Sequence, residues 1–221
     1  ACQQLGRREE AIKAFTIALK LNPNYARAYN NLGNTLKEIG NLEEAIKVYK
    51  KALSLEPNYA AGYNNLGNAL KDQGKLGEAI TAFNKALHLQ DDNAATYNNI
   101  GLTLKDQGKL EKAKESFNKA LSLKSDYAKA HRNLSTLVKY KPGNSQIKSV
   151  ERLLKRAETN DGDKCRLHYA AAKMNEDIGE LEEAFKHFVA GGALRKKLLS
   201  YNLKQDKELF SKIKATANRY E

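Results

Sequence analysis

The chain has 221 residues, 41% hydrophobic and 29% charged, with a net charge of +12, 14 Gly and only 3 Pro. That balance is too apolar for a disordered chain. Lys, Asn or Glu recurs too often for the roughly 18 uninterrupted apolar residues of a membrane span, and two cysteines cannot build a disulfide framework.

The expectation is therefore a cytoplasmic protein that keeps its thiols reduced. A mean hydropathy of -0.68 is low for a compact globule and suits a thinner body with more surface to cover.

Read in chain order, residues recur at one step. Gly6, Gly40, Gly74 and Gly108 are spaced by 34, as are Gly33, Gly67 and Gly101. Ala11, Ala45, Ala79 and Ala113 keep the same step, and so do Phe15, Tyr49, Phe83 and Phe117. Ala18, Ala52, Ala86 and Ala120 complete the set. Several independent series at one period mark a repeat.

Residue 1 falls near position 10 of a unit, so the chain is expected to start inside a first helix that Gly6 ends. Full units follow at 26–59, 60–93 and 94–127. Each carries two segments of about a dozen residues with apolar positions at helical spacing. Small residues at unit positions 8, 20 and 27 let the two helices approach closely. Glycine at 15 ends the first helix in the left-handed conformation. Asn24, Asn58, Asp92 and Asp126 at position 33 are expected to cap the coming helix.

Beyond the regular units, residues 128–140 read as a first helix stopped by Pro142-Gly143-Asn144. Residues 146–157 read as its partner. A divergent unit follows the polar loop 159–163, with His168 at position 4, Ala172 at 8, Gly179 at 15, Ala184 at 20 and Phe188 at 24. Residues 206–217 predict one more amphipathic helix, with Leu209, Phe210 and Ile213 on one face.

The glycine, alanine and aromatic series resemble the signature of the tetratricopeptide repeat (TPR) family. The family's Trp at position 4 is Tyr29, Tyr63 and Tyr97, and its Pro at 32 is kept as Pro23 and Pro57 but replaced by Asp91 and Ser125. The resemblance implies an all-α, right-handed solenoid of antiparallel helix pairs. It divides the chain into repeats at 1–141, divergent TPR-like helices at 142–199 and a C-terminal helix or linker at 200–221. Residues 167–170, 182–185, 198–201 and 209–210 further resemble the linker of bacterial TPR–sulfotransferase fusion proteins.

Phosphate-binding, zinc-protease, nucleophile-elbow and dinucleotide motifs are all missing from the sequence. His131 and His168 sit where Tyr stands in earlier units and read as packing residues. His88 and His187 have no Cys or second His at ligand spacing. No catalysis, metal or cofactor is expected. The charge is spread, +8 over residues 1–141 (22 basic, 14 acidic) and +4 over 142–221 (16 basic, 12 acidic). The densest cluster, Arg195-Lys196-Lys197, has no aromatic stacking platform beside it, so a nucleic-acid partner is not favoured.

At about 100° per residue, the core-facing positions 4, 7, 8 and 11 of a first helix leave 2, 6, 9 and 13 pointing away. The family resemblance implies that these line a concave groove. Position 6 is Asn31, Asn65, Asn99 and Asn133, and position 9 is Asn34, Asn68, Leu102 and Thr136. Position 13 is Glu38, Asp72, Asp106 and Tyr140, flanked at 12 by Lys37, Lys71, Lys105 and Lys139.

A carboxamide both donates and accepts, so a row of them suits a peptide backbone, which resembles the asparagine ladder of O-GlcNAc transferases. The competing reading is that duplication copied Asn with the rest of the unit. The expected function is a protein- or peptide-binding scaffold that holds an extended segment in the groove. Two alternatives stand beside it: the substrate-recruiting region of a sulfotransferase, and self-association through exposed end helices.

Overall fold

The computed structural model describes residues 2–199. These form eleven helices and no strand. The expected helix at 206–217 lies outside the described residues. Leu137 and Val138 mark the border between two compact units.

The first unit holds α1 (Cys2–Leu21), α2 (Ala26–Glu38), α3 (Leu42–Leu55), α4 (Ala60–Asp72), α5 (Leu76–Leu89), α6 (Ala94–Asp106), α7 (Leu110–Leu123) and α8 (Ala128–Ser135). α2 with α3, α4 with α5 and α6 with α7 pair as hairpins, each packed on the next. Gly40, Gly74 and Gly108 turn these hairpins at φ of 83°, 82° and 74°, where a side chain would be strained. The following amide of each reaches back five residues, Asn41 N–H to Leu36 O, Lys75 to Leu70 and Lys109 to Leu104, all at 2.9 Å. These are Schellman closures, which satisfy carbonyls that the helix end would orphan.

Position 8 explains why the pairs pack so tightly. A Cβ on Gly33, Gly67 or Gly101 would lie 2.5–2.6 Å from the ring of Tyr49, Phe83 or Phe117. Those three rings are wholly buried, so glycine is what lets the aromatic of the second helix lie on the backbone of the first. Ala45, Ala79, Ala113, Ala52 and Ala120 are likewise fully buried between helices.

Three local expectations are corrected. α1 runs unbroken through Gly6, which is not among the left-handed glycines. Position 33 does not cap: the N-cap falls at position 34, where Asn93 Oδ1 accepts from Thr96 N–H at 3.0 Å and Tyr25, Tyr59 and Tyr127 make no side-chain cap. The helix expected over 128–140 ends at Ser135.

That early end has a cause within the second unit, which holds α9 (Ser145–Leu154), α10 (Asp161–Ile178) and α11 (Leu181–Leu198). Tyr140 gives its backbone N–H to Asp177 Oδ2 at 3.2 Å, instead of to a helical carbonyl, and its hydroxyl to Gln146 Oε1 at 2.8 Å. Its ring is 1% exposed, so Tyr140 is a core residue here and no groove residue. The Asp177 side chain is 2% exposed. Burial alone would raise its pKa, but Lys173, the Tyr140 amide and Lys139 outweigh burial and hold it below the usual carboxylate range.

α10 and α11 form a hairpin closed by Gly179 at φ 87°, as position 15 predicts. Phe188 departs from its expected role at position 24, being 60% exposed with its ring edge-on to Tyr169. Its unit has Ala172 at position 8, and the Cβ of that alanine stands where the regular units need a glycine to admit the ring.

Candidate functional site

The asparagines at position 6 come together in an unexpected way. Asn65 Nδ2 donates to Asn30 Oδ1 at 3.0 Å, Asn99 Nδ2 to Asn64 Oδ1 at 3.2 Å and Asn133 Nδ2 to Asn98 Oδ1 at 2.8 Å. Each bond joins position 6 of one repeat to position 5 of the repeat before it. Asn31 has only its neighbour, Asn30 Nδ2, at 3.5 Å from its Oδ1. Asn64 Oδ1 takes a second bond from the Thr96 hydroxyl at 3.1 Å.

The accepting residues are the deeper ones, Asn30 at 3% and Asn98 at 2% exposure. A buried carboxamide oxygen without a donor would be costly, so the row at position 6 is a bonded ladder between first helices. The bond from position 6 to position 5 of the preceding repeat is a relation that the sequence reading did not include.

One of the two Nδ2 protons of Asn65, Asn99 and Asn133 is thereby committed to the preceding repeat, whereas Asn31 accepts from Asn30. Among the described residues, no hydrogen bond engages the Oδ1 of Asn65, Asn99 or Asn133, and all three residues keep partial exposure. Each of the three therefore offers its Oδ1 as an acceptor together with its second N–H.

The other residues are placed as follows. Asn34 Oδ1 accepts from the Tyr49 hydroxyl at 2.7 Å, an intra-repeat bond that Phe83 and Phe117 cannot make in theirs. Asn68 is half-buried and Asp106 exposed. Two ion pairs stitch successive repeats, Arg8 with Glu38 at 3.0 Å and Lys37 with Asp72 at 3.6 Å, while Lys71 reaches Asp72 within its own repeat at 3.3 Å. Lys105 Nζ donates to Thr136 Oγ1 at 3.0 Å. All these pairs are partly exposed, and exposed ion pairs add little to stability.

Elsewhere in the first unit a cavity of about 550 Å³ is lined by Asn58, Tyr63, Asn84, Lys85 and His88, among others. Lys85 Nζ already lies 5.6 Å from the Tyr63 ring centre, as Lys119 does over Tyr97.

The histidines divide. His131 is 3% exposed with Nε2 2.9 Å from Ser125 O, the packing role expected at position 4. Burial pushes it below the usual imidazole range, against the Ser125 carbonyl and the Asp126 charge. His168 instead meets His187, Nδ1 to Nδ1 at 2.9 Å. The sequence reading separated these two because it looked for ligand spacing along one helix. The relevant relation is across the α10–α11 hairpin, and antiparallel pairing of positions 4 and 23 is the signal that would have found it.

Cys165 is free and buried, its Sγ 3.4 Å from Gly191 O. Among the described residues, no helix is long and apolar enough to cross a membrane.

Comparison with known proteins identifies the repeat. A family model described as TPR repeat matches residues 1–40, 33–74 and 67–108, and one described as Tetratricopeptide repeat matches 94–127. No curated protein matches the sequence significantly.

Among solved structures, a crystal structure of MamA shares 24% identity at a TM-score of 0.56, covering 90% of this chain and 95% of that one. MamA from Desulfovibrio magneticus RS-1 shares 20% at 0.56, covering 89% and 90%. YrrB, described as a TPR protein with an unusual peptide-binding site, shares 21% at 0.57, covering 83% and 93%. At these identities the likeness is one of fold. With repeat models covering residues 1–127 and the glycine, alanine and aromatic positions used as that repeat requires, the chain belongs to the tetratricopeptide repeat family.

Proposed function

We propose that the chain is a non-catalytic scaffold that holds an extended protein segment along the asparagine ladder. The observation that carries this reading is the set of acceptor oxygens at Asn65, Asn99 and Asn133, which the bonds between repeats leave open. An acceptor row pairs with backbone N–H groups whatever side chains a peptide carries. The likeness to YrrB, whose description includes a peptide-binding site, is consistent with it.

Neighbouring helices pack about 8–10 Å apart. A polyproline II segment rises about 3.1 Å per residue with three residues per turn, so it would present one amide to each rung. Proline would then be tolerated at two of every three positions. Glu38, Asp72 and Asp106, with Lys37, Lys71 and Lys105, would select among peptides by charge.

The test is to identify a binding peptide on an array and then replace every third backbone amide by an ester, which removes the N–H and keeps the shape. In one of the three frames, binding should fall several-fold per ester at about 0.5–1.5 kcal/mol per lost bond. Equal binding in all three frames would sink the ladder reading, and Lys85→Ala would then test the cavity beside Tyr63.

The sulfotransferase alternative rests on the resemblance of residues 167–170, 182–185, 198–201 and 209–210 alone. Reading the coding sequence that follows Glu221 tests it.

A further inference from the structure

The α10–α11 hairpin brings two imidazoles into an arrangement the repeat fold does not need. His168 Nδ1 and His187 Nδ1 are 2.9 Å apart, with ring centres at 5.2 Å and planes tilted by 44°. Both residues are half-buried. Around them, Lys164 on α10 is the cation felt by His168, while Glu183 on α11 and Glu151 on α9 are the carboxylates felt by His187. Burial, the largest cause for each, pushes both imidazoles below their usual range. At neutral pH they are therefore uncharged, the form that ligates metals. As the pair stands, one Nδ1 carries a proton that points at the other's lone pair.

We propose that His168 and His187 form a two-imidazole site for a divalent cation of tetragonal preference, Cu²⁺ or Ni²⁺, which staples α10 to α11 as the Nδ1 proton of the donor ring passes through solvent to the Nε2 of the same ring. The distance selects the cation. With metal–nitrogen bonds of about 2.0–2.1 Å, two nitrogens 2.9 Å apart subtend about 90° at the metal. That is the cis angle of square-planar or tetragonal coordination, where Cu²⁺ and Ni²⁺ are favoured. A tetrahedral Zn²⁺ would need the nitrogens at about 3.3–3.4 Å.

Each ring has to swing its lone pair about 45° from the N···N line, a modest turn for half-buried side chains whose Nδ1 atoms already converge. Among the described residues, no group of three or more His, Cys, Asp or Glu side chains is placed to hold a metal. Water fills the remaining positions, which makes the site open and exchangeable. Glu151 and Glu183 supply negative charge close to His187 and offset the charge of the ion.

The experiment uses the full chain without an affinity tag and with Cys2→Ser, so that this thiol neither binds nor reduces the ion. Cu²⁺ and Ni²⁺ are titrated at neutral pH, followed by d–d absorption and, for Cu²⁺, by nitrogen hyperfine structure in the electron spin resonance spectrum. The expected result is one equivalent bound, hyperfine coupling from two imidazole nitrogens, and a melting temperature that rises with metal concentration. His168→Gln and His187→Gln should each weaken binding at least tenfold, whereas His88→Gln should leave it unchanged.

A readout that needs no substitution at the pair is paramagnetic broadening by Cu²⁺ of backbone amides. It should centre on residues 165–171 and 184–190. Binding of equal strength in the His168→Gln, His187→Gln double variant, or broadening centred elsewhere, would overturn the site. Zn²⁺ displacing Ni²⁺ from the pair at equal concentration would overturn the tetragonal assignment.

Discussion

The ladder makes a graded prediction about stability that distinguishes a structural bond from an inherited residue. Asn133 donates at 2.8 Å to Asn98, which is 2% exposed. Asn133→Ala removes that bond and leaves the Asn98 oxygen buried without its donor. A lost hydrogen bond is worth about 0.5–1.5 kcal/mol net, and an unsatisfied buried acceptor costs about 1–3 kcal/mol.

The expected loss for Asn133→Ala is therefore about 1–3 kcal/mol, or a fall of about 2–12 °C in melting temperature for a chain of this length. Asn31 is exposed and only 3.5 Å from its neighbour's amide, so Asn31→Ala should stay within about 0.5 kcal/mol. Urea unfolding followed by far-UV circular dichroism measures both. A double-mutant cycle of Asn98→Ala with Asn133→Ala should show a coupling of at least 0.5 kcal/mol or so. If Asn133→Ala were as mild as Asn31→Ala, with coupling below about 0.3 kcal/mol, the bonded ladder would carry no weight in the fold.

Two glycines of one repeat should respond oppositely to the same change. Gly67→Ala puts a Cβ 2.6 Å from the buried Phe83 ring and should destabilise by about 1–3 kcal/mol, whereas Gly77→Ala, on α5 with open space around it, should stabilise by up to about 1 kcal/mol; thermal melts of the pair decide this, and equal signs would refute the packing account. His131 contributes an acid sensitivity: its folded pKa lies below the unfolded one, so the unfolded chain takes up the proton first, and stability is full above about pH 6.5 and declines as pH falls towards the folded value. His131→Tyr, the residue of the earlier units, should flatten the curve of melting temperature against pH over that window, and an unchanged slope would count against the assignment. Cys165 should be inert to a thiol reagent in the native chain and react after denaturation without a reductant, because it is free and buried; rapid native labelling at Cys165, located by mass spectrometry, would contradict its placement.

Much of the fold was legible because each unit repeats its own internal geometry. Glycine at 15 predicts a left-handed turn, and glycine at 8 predicts close approach to an aromatic at 24. Both relations lie inside one unit and recur in the units at 26–59, 60–93 and 94–127. The ladder was only half legible. That position 6 points away from the pair's own core follows from helical periodicity. That it reaches position 5 of the preceding unit, 35 residues back, is a relation between copies, and a pattern read within one unit cannot show it.

The His168–His187 pair was missed for a related reason, since its members face each other across a hairpin. Ends and divergent stretches were read by analogy with full units, and there the physics differs. α1 runs straight through Gly6, Tyr140 finds better partners in Asp177 and Gln146, and Ala172 denies Phe188 the berth that glycine gives its counterparts.

A joint built from position 6 of one unit and position 5 of the previous one behaves as a standard coupling. Any unit with asparagine at both places can follow any other, with the donor always on the incoming side. Deleting or inserting 34 residues within 26–127 would leave every remaining coupling matched. Unequal crossing-over could therefore lengthen or shorten the array without passing through a misfolded intermediate length. An indel of 33 or 35 residues would present the wrong position at the joint, leaving a buried carboxamide opposite an apolar side chain. The asparagines that look like a passive legacy of duplication are, on this view, what makes duplication survivable.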